Sequence, residues 1–179
     1  LRTRGELLLH SRSAHRLFYG RRKDQKQGIA PVIGLVRFAL NVNQIFELAA
    51  KDDPYADAAL LDIEEKMQEA GRVLRNNIKA LEELLSDMDG ISIKYNGSVE
   101  PVVVPLEFKT TYGFLAAKLL NQYDKLVRLG QTAKHVGLFT EDDWARIVRH
   151  SGRVVRNVFQ ASTQYRSAGA SRNDIAANN

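Results

Sequence analysis

At 179 residues, 44% of them hydrophobic and 26% charged, the chain has room for one domain with a real core, and disorder throughout is excluded. It has no cysteine, which removes disulfide frameworks, thiolate zinc sites and cysteine nucleophiles. A formal charge of +5 favours an anionic partner, and its distribution says where: residues 1–26 carry eight Lys or Arg against two acids, residues 52–90 four against eleven, and residues 91–179 twelve against seven, so a polyanion is expected to meet the two ends.

The first predicted element is a strand over 4–10. Arg4, Glu6, Leu8 and His10 alternate there with Gly5, Leu7, Leu9 and Ser11, one polar-leaning row opposite an apolar one. A basic two-faced ribbon is a shape that enters a DNA groove. The plainer reading of ELLLHS is an edge strand of the core sheet with its arginines solvated. Residues 12–20 then predict a short helix burying Ala14, Leu17 and Phe18, with Ser11 or Ser13 as N-cap and a polar loop behind it. Residues 29–51 have helical apolar spacing, with Pro31 tolerable in a first turn and the DDP at 52–54 as the stop.

The stretch 57–87 is the cleanest amphipathic helix, apolar at Leu60, Ile63, Met67, Leu74, Ile78 and Leu81, with most of its glutamates off that face and Gly90 beyond its end. Residues 91–109 predict a β-hairpin, turning at Asn96-Gly97 between strands 91–95 and 102–108. Pro101 and Pro105 confine its second strand to a sheet edge. A second long helix is expected over 111–136 with Gly137 at its cap. A third runs over 140–162, opened by a capping-box pattern from Thr140 to Asp143. The expected fold is therefore mainly α with a small β component, a single domain over 1–165 and a small polar tail at 166–179 that reads as disordered. No apolar run approaches the roughly 18 residues of a membrane span, and the basic N-terminus has no apolar signal core behind it. A bacterial cytoplasmic setting without a membrane partner is the expectation.

On the last helix Arg146, Arg149, Arg153 and Arg156 recur at three- and four-residue steps, which puts four permanent charges on one stripe. Such a stripe matches a phosphate backbone, and equally a set of salt bridges to the acidic helix 57–87. The four histidines (His10, His15, His135, His150) offer no i, i+4 pair and no HExxH. Asp52, Asp53 and Asp57 lack the spacing of a calcium loop. No nucleotide fingerprint, nucleophile elbow or metal cluster marks an enzyme, so no catalytic residue, cofactor or small-molecule substrate is inferred.

Three blocks, GELLLHSRSAHRLFYGR at 5–21, DDPYAD at 52–57 and VVVPLEFKTTYGFLAAKLLNQYDKLVRLGQTAKHVGL at 102–138, resemble the AcaB-like regulators of conjugation found on broad-host-range plasmids and integrating conjugative elements. The similarity covers most of residues 4–160. It implies a DNA-binding transcriptional activator of conjugative-transfer genes, built as a ribbon-helix-helix-like homodimer with additional helices and a β-hairpin. In that architecture two subunits pair one strand each into a ribbon in the major groove. The candidate DNA contacts are then Arg2, Arg4, Glu6, His10, Arg12, Arg16, Arg21, Arg22 and Lys23 at the N-terminus, with Arg146, Arg149, Arg153 and Arg156 on the last helix. The strand 102–108, followed by two helices, is a second candidate for the ribbon and offers Glu107 and Lys109. The N-terminal strand is preferred for its charge and its hydrogen-bonding row. From a different class, the rival reading is a structural or adaptor protein of a conjugation apparatus, docking a protein partner through the acidic helix.

Overall fold

The computed structural model describes residues 3–22, 28, 30–88, 90–93 and 100–166. Along the chain run β1 (Thr3–Leu9), α1 (Arg12–Tyr19), α2 (Leu35–Ala49), α3 (Pro54–Ser86), β2 (Val102–Phe108), α4 (Thr111–His135) and α5 (Glu141–Ala161). Mainly helical with one two-stranded antiparallel sheet, this is the coarse class that the periodicities predict.

The helix starts follow from local chemistry. Ser11 holds an extended backbone and its hydroxyl accepts the Ala14 N–H at 3.1 Å, capping α1. The Asp53 carboxylate accepts the N–H groups of Tyr55 and Ala56 at 3.0 and 3.2 Å, and Pro54 opens α3 where a missing N–H costs nothing. DDP is thus the first turn of α3 as well as the stop of α2, and the expected start at 57 moves back to 54. Thr140 and Asp143 form the reciprocal capping box: the Asp143 N–H donates to the threonine hydroxyl at 3.2 Å, and the Thr140 N–H to the carboxylate at 3.1 Å. The Thr140 hydroxyl also donates to that carboxylate at 2.6 Å, and this bond first, with the Thr140 N–H second, holds the Asp143 carboxyl below the ordinary carboxylate range.

Two expectations need correction. The helix predicted over 29–51 begins only at Leu35, because Arg21 and Val32 exchange backbone hydrogen bonds at 2.8 Å each and keep residues 30–33 extended. Gly20 and Gly34 permit that closure. Gly20 has φ +74°, and a Cβ on Gly34 would stand 2.3 Å from the Gly20 nitrogen, so neither position has space for a side chain. The hairpin over 91–109 is not formed as predicted: residues 91–93 lie outside any strand, the Asn96-Gly97 turn falls outside the described residues, and β2 pairs instead with β1. Their register runs from Thr3↔Phe108 to Leu9↔Val102. Apolar matching explains the choice, since Leu7 and Leu9 fall on the same face as Val104, Leu106 and Phe108, and all five are buried.

That buried face rests on the rest of the core, whose centre is α4. It touches every other element, and Ala116, Leu120, Leu126 and Leu129 are fully enclosed along it. α3 packs alongside through Ile63, Leu74 and Leu81. α5 contributes Val155 and Phe159, the latter with its ring 5.2 Å from that of Phe38 on α2. Tyr165, just beyond α5, donates its hydroxyl to Asp53 at 2.5 Å and ties the end of the described chain to the start of α3. The tail from 167 onward lies outside the described residues.

Candidate nucleic-acid interface

β1 and β2, the two candidate ribbons, are the two halves of one sheet, and one face of that sheet is exposed. On β1 it presents Arg4, Glu6 and Leu8, and on β2 Val103, Pro105 and Glu107, with Lys109 just past the strand. The alternation predicted for the N-terminal row holds through Leu8. His10 lies one residue beyond the strand end and is half-buried. Arg4 and Glu107 face each other across the register with Nε 3.9 Å from Oε1, and Arg4 keeps 85% of its side chain exposed, so this pair contributes little to stability.

Pro105 also fixes which backbone groups the sheet leaves open. Lacking an N–H, it cannot exchange hydrogen bonds with Glu6, so that pair is one whose N–H and C=O groups point away from each other. By alternation the same holds for Arg4↔Glu107 and Leu8↔Val103. On the β1 side the outward groups are therefore intact from Arg4 to Leu8, whereas the outer edge of β2 lacks the donor at 105.

Where β1 turns into α1, the chain is pinned by a residue that the sequence reading passed over. The Asp124 carboxylate on α4 is wholly buried and accepts the backbone N–H groups of His10 at 3.2 Å and Ser11 at 2.8 Å. Arg128, one turn on, places Nε 3.4 Å from it. The only signal in the sequence is a carboxylate on the same face as Leu120 and Val127, an apolar stripe on which a charge needs partners.

Arginines of α1, of the stretch just after it and of α5 come together around one cavity. Arg12 and Arg16 are exposed on α1, Arg21 and Arg22 follow it, and α1 packs against α4 and α5. On α5 Arg146, Arg149 and Arg153 are exposed and Arg156 is half-buried. Arg16, Arg21, Arg149 and Arg156 line one cavity, while Arg146 leans to Asp143 on its own helix at 3.6 Å and Arg153 stands apart. Arg2 and Lys23 lie outside the described residues.

Four acidic residues of α3 pair within the helix or with α4: Asp62 with Lys66, Glu69 with Arg72 at 2.6 Å, Glu83 with Lys79 at 3.8 Å, and Glu82 with Lys125 at 2.6 Å. No helix among the described residues is long and apolar enough to cross a membrane. Nor do the described residues gather three or more His, Asp or Glu able to hold a metal ion.

The arrangement is one of known proteins. The structure superposes on the crystal structure of selenomethionine-containing AcaB from uropathogenic E. coli with a TM-score of 0.71, at 16% sequence identity, covering 90% of this chain and 77% of that one. At that identity the likeness speaks for the fold alone. No curated protein matches the sequence. The family model described as "Transcriptional regulator AcaB" matches residues 1–179, the entire length, and with the fold already in agreement the chain belongs to the AcaB family of transcriptional regulators.

Proposed function

We propose that the protein is a sequence-specific, double-stranded-DNA-binding activator of conjugative-transfer genes, acting as a homodimer whose two β1 strands pair edge to edge and face the major groove. The observation that carries this reading is the edge of β1 that no strand among the described residues pairs, beside its exposed row of Arg4, Glu6 and Leu8. A transcription regulator needs a surface that reads base edges, and a β-ribbon is one of the two elements that fit the groove. Pairing along β1 rather than β2 follows from the proline at 105, and the product is a four-stranded sheet in the order β2, β1, β1, β2. Half of the ladder demand of β1 is already met by β2 within the chain. The dimer therefore completes the strand and is not what makes it fold.

Around the ribbon, Arg12, Arg16, Arg21 and Arg22 with the α5 arginines supply phosphate contacts, which position the protein without reading sequence. Footprinting on the promoter DNA of the element that carries the gene tests the proposal. A protected pseudo-palindrome is expected, and uniform coating would reject the two-fold reader.

Two sets of substitutions separate the roles. Arg4→Ala and His10→Ala should each cost about 1–3 kcal/mol in binding to the specific site while leaving most of the affinity for random duplex, since base contacts specify and phosphate contacts position. Equal proportional loss on both DNAs would mean that this row reads no bases. Changing Arg149 and Arg153 together to Gln should weaken binding to every sequence alike and lower the slope of log affinity against log salt by about 2. An unchanged slope would assign the stripe a structural part instead. The adaptor reading makes the opposite forecast for the intact protein, because an apolar helix interface is nearly indifferent to salt.

A further inference from the structure

Four guanidiniums share a half-open cavity of about 710 Å³ between α1, α4 and α5. Arg16 of α1 and Arg21 just beyond it line it together with Arg149 and Arg156 of α5, with Ser13 and Tyr123 beside them. Among the described residues no carboxylate lines it. Guanidiniums cannot shed their charge, so four of them around one space repel each other until an anion enters.

The positions are built rather than incidental. Arg21 is held from both ends, its backbone bridged to Val32 and its Nη2 donating to the Ala30 carbonyl at 3.0 Å. A Cβ at Gly152 would stand 3.1 Å from both Arg156 Nη1 and the Tyr123 hydroxyl, so that glycine leaves the space in which these two polar tips come together. Burial pushes the Tyr123 hydroxyl above its ordinary pKa, while the hydrogen bond with Ser13 and the charge of Arg156 pull the other way. The hydroxyl stays protonated near neutral pH and directs its hydrogen to the Val148 carbonyl at 3.5 Å, a long bond that a ligand oxygen can replace. Leu17 and Val148 add apolar surface that a bare inorganic anion would leave unused. The volume lies within the roughly 300–1,000 Å³ of small-molecule sites.

We propose that this cavity binds a small phosphate-bearing ligand of the nucleotide class, and that its occupancy competes with DNA phosphates for Arg16 and Arg149. The competition rests on the DNA-binding reading above, whereas the binding itself does not. Calorimetric titration of the full chain with ATP, and separately with inorganic pyrophosphate, in about 0.15 M salt and without DNA, tests the binding. One saturable ATP site per chain is expected, tighter than that for pyrophosphate. Arg156→Gln should weaken it about tenfold, the loss of one charge-assisted pair, and Arg149→Gln does the same from an exposed position should the first variant fold poorly. The double change of Arg146 and Arg153 to Gln, outside the cavity, should leave it unaltered.

Absence of saturation up to about 10 mM of either probe overturns the site. So does an equal loss in the Arg146 and Arg153 double variant, which would reveal a diffuse field instead. Pyrophosphate binding as tightly as ATP would overturn the nucleotide assignment. A parallel titration with the promoter duplex tells the two readings apart: ATP bound with no DNA binding at all defeats the DNA reading and leaves the cavity standing. DNA bound without displacement by saturating ATP defeats the competition.

Discussion

Replacing Asp124 with alanine is expected to lower the unfolding free energy by about 3 kcal/mol, more than any other single change on α4 outside its large apolar residues. The carboxylate is fully buried and serves two backbone N–H groups, of His10 and Ser11, as well as Arg128. Alanine removes the carboxylate that accepts from two backbone donors and sits beside Arg128, and a buried donor that loses its acceptor costs its desolvation. Because the two N–H groups belong to the junction between β1 and α1, the ribbon should also lose its fixed angle to the helices. Affinity for specific DNA should then fall even where circular dichroism reports intact helices. Asp124→Asn keeps an acceptor for Ser11 but not the charge, and should fall between wild type and alanine. Urea unfolding of the three proteins measures this, and a loss under about 1 kcal/mol for alanine would show that the junction stands without the carboxylate.

Leu8→Pro is expected to abolish dimerisation and site-specific DNA binding together while helical content is retained. Leu8 pairs with Val103 in the phase set by Pro105, so its N–H points away from β2 and toward the open edge. Proline there removes a donor from the dimer seam and leaves the ladder within the chain untouched. One unmet pair costs about 1–3 kcal/mol, and the two-fold axis makes it count twice, so affinity for the specific site should drop at least about thirtyfold. Leu8 is 45% exposed, and its loss from the outer face removes little core. Sedimentation beside a DNA titration decides the outcome. A monomer that no longer selects its site supports the proposal, and full specific binding by the variant would move the ribbon to β2, with Glu107 and Lys109 as its readers.

The helices were legible in the sequence because the forces that shape them act over one or two turns. Ser11 three residues before Ala14, Thr140 three before Asp143 and the glutamates set off the apolar face of 57–87 are local patterns, and α1, α3, α4 and α5 appear within a few residues of where those patterns put them. The helix over 29–51 failed at its start because its first turn competes with a distant partner: Arg21 satisfies the backbone of Val32 before a helix can. The hairpin failed for the same reason on a larger scale. Asn96-Gly97 is a strong local turn signal, yet β2 gains more by laying Val104 and Leu106 beside Leu7 and Leu9, nearly a hundred residues earlier in the chain, over the shared face of α4.

The candidate site divides along the same line. That the chain ends are basic, that Arg4 and Glu6 share a strand face and that four arginines share a helix stripe follow from composition and period, which the sequence by itself determines. That Arg16 and Arg21 line one cavity with Arg149 and Arg156, that the stripe splits into cavity and surface members, and that Asp124 holds the entrance to α1 were decided only when α1 and α5 docked on α4. Packing between elements sums many weak, non-directional contacts over residues far apart in the chain, so no single spacing in the sequence records which faces will meet.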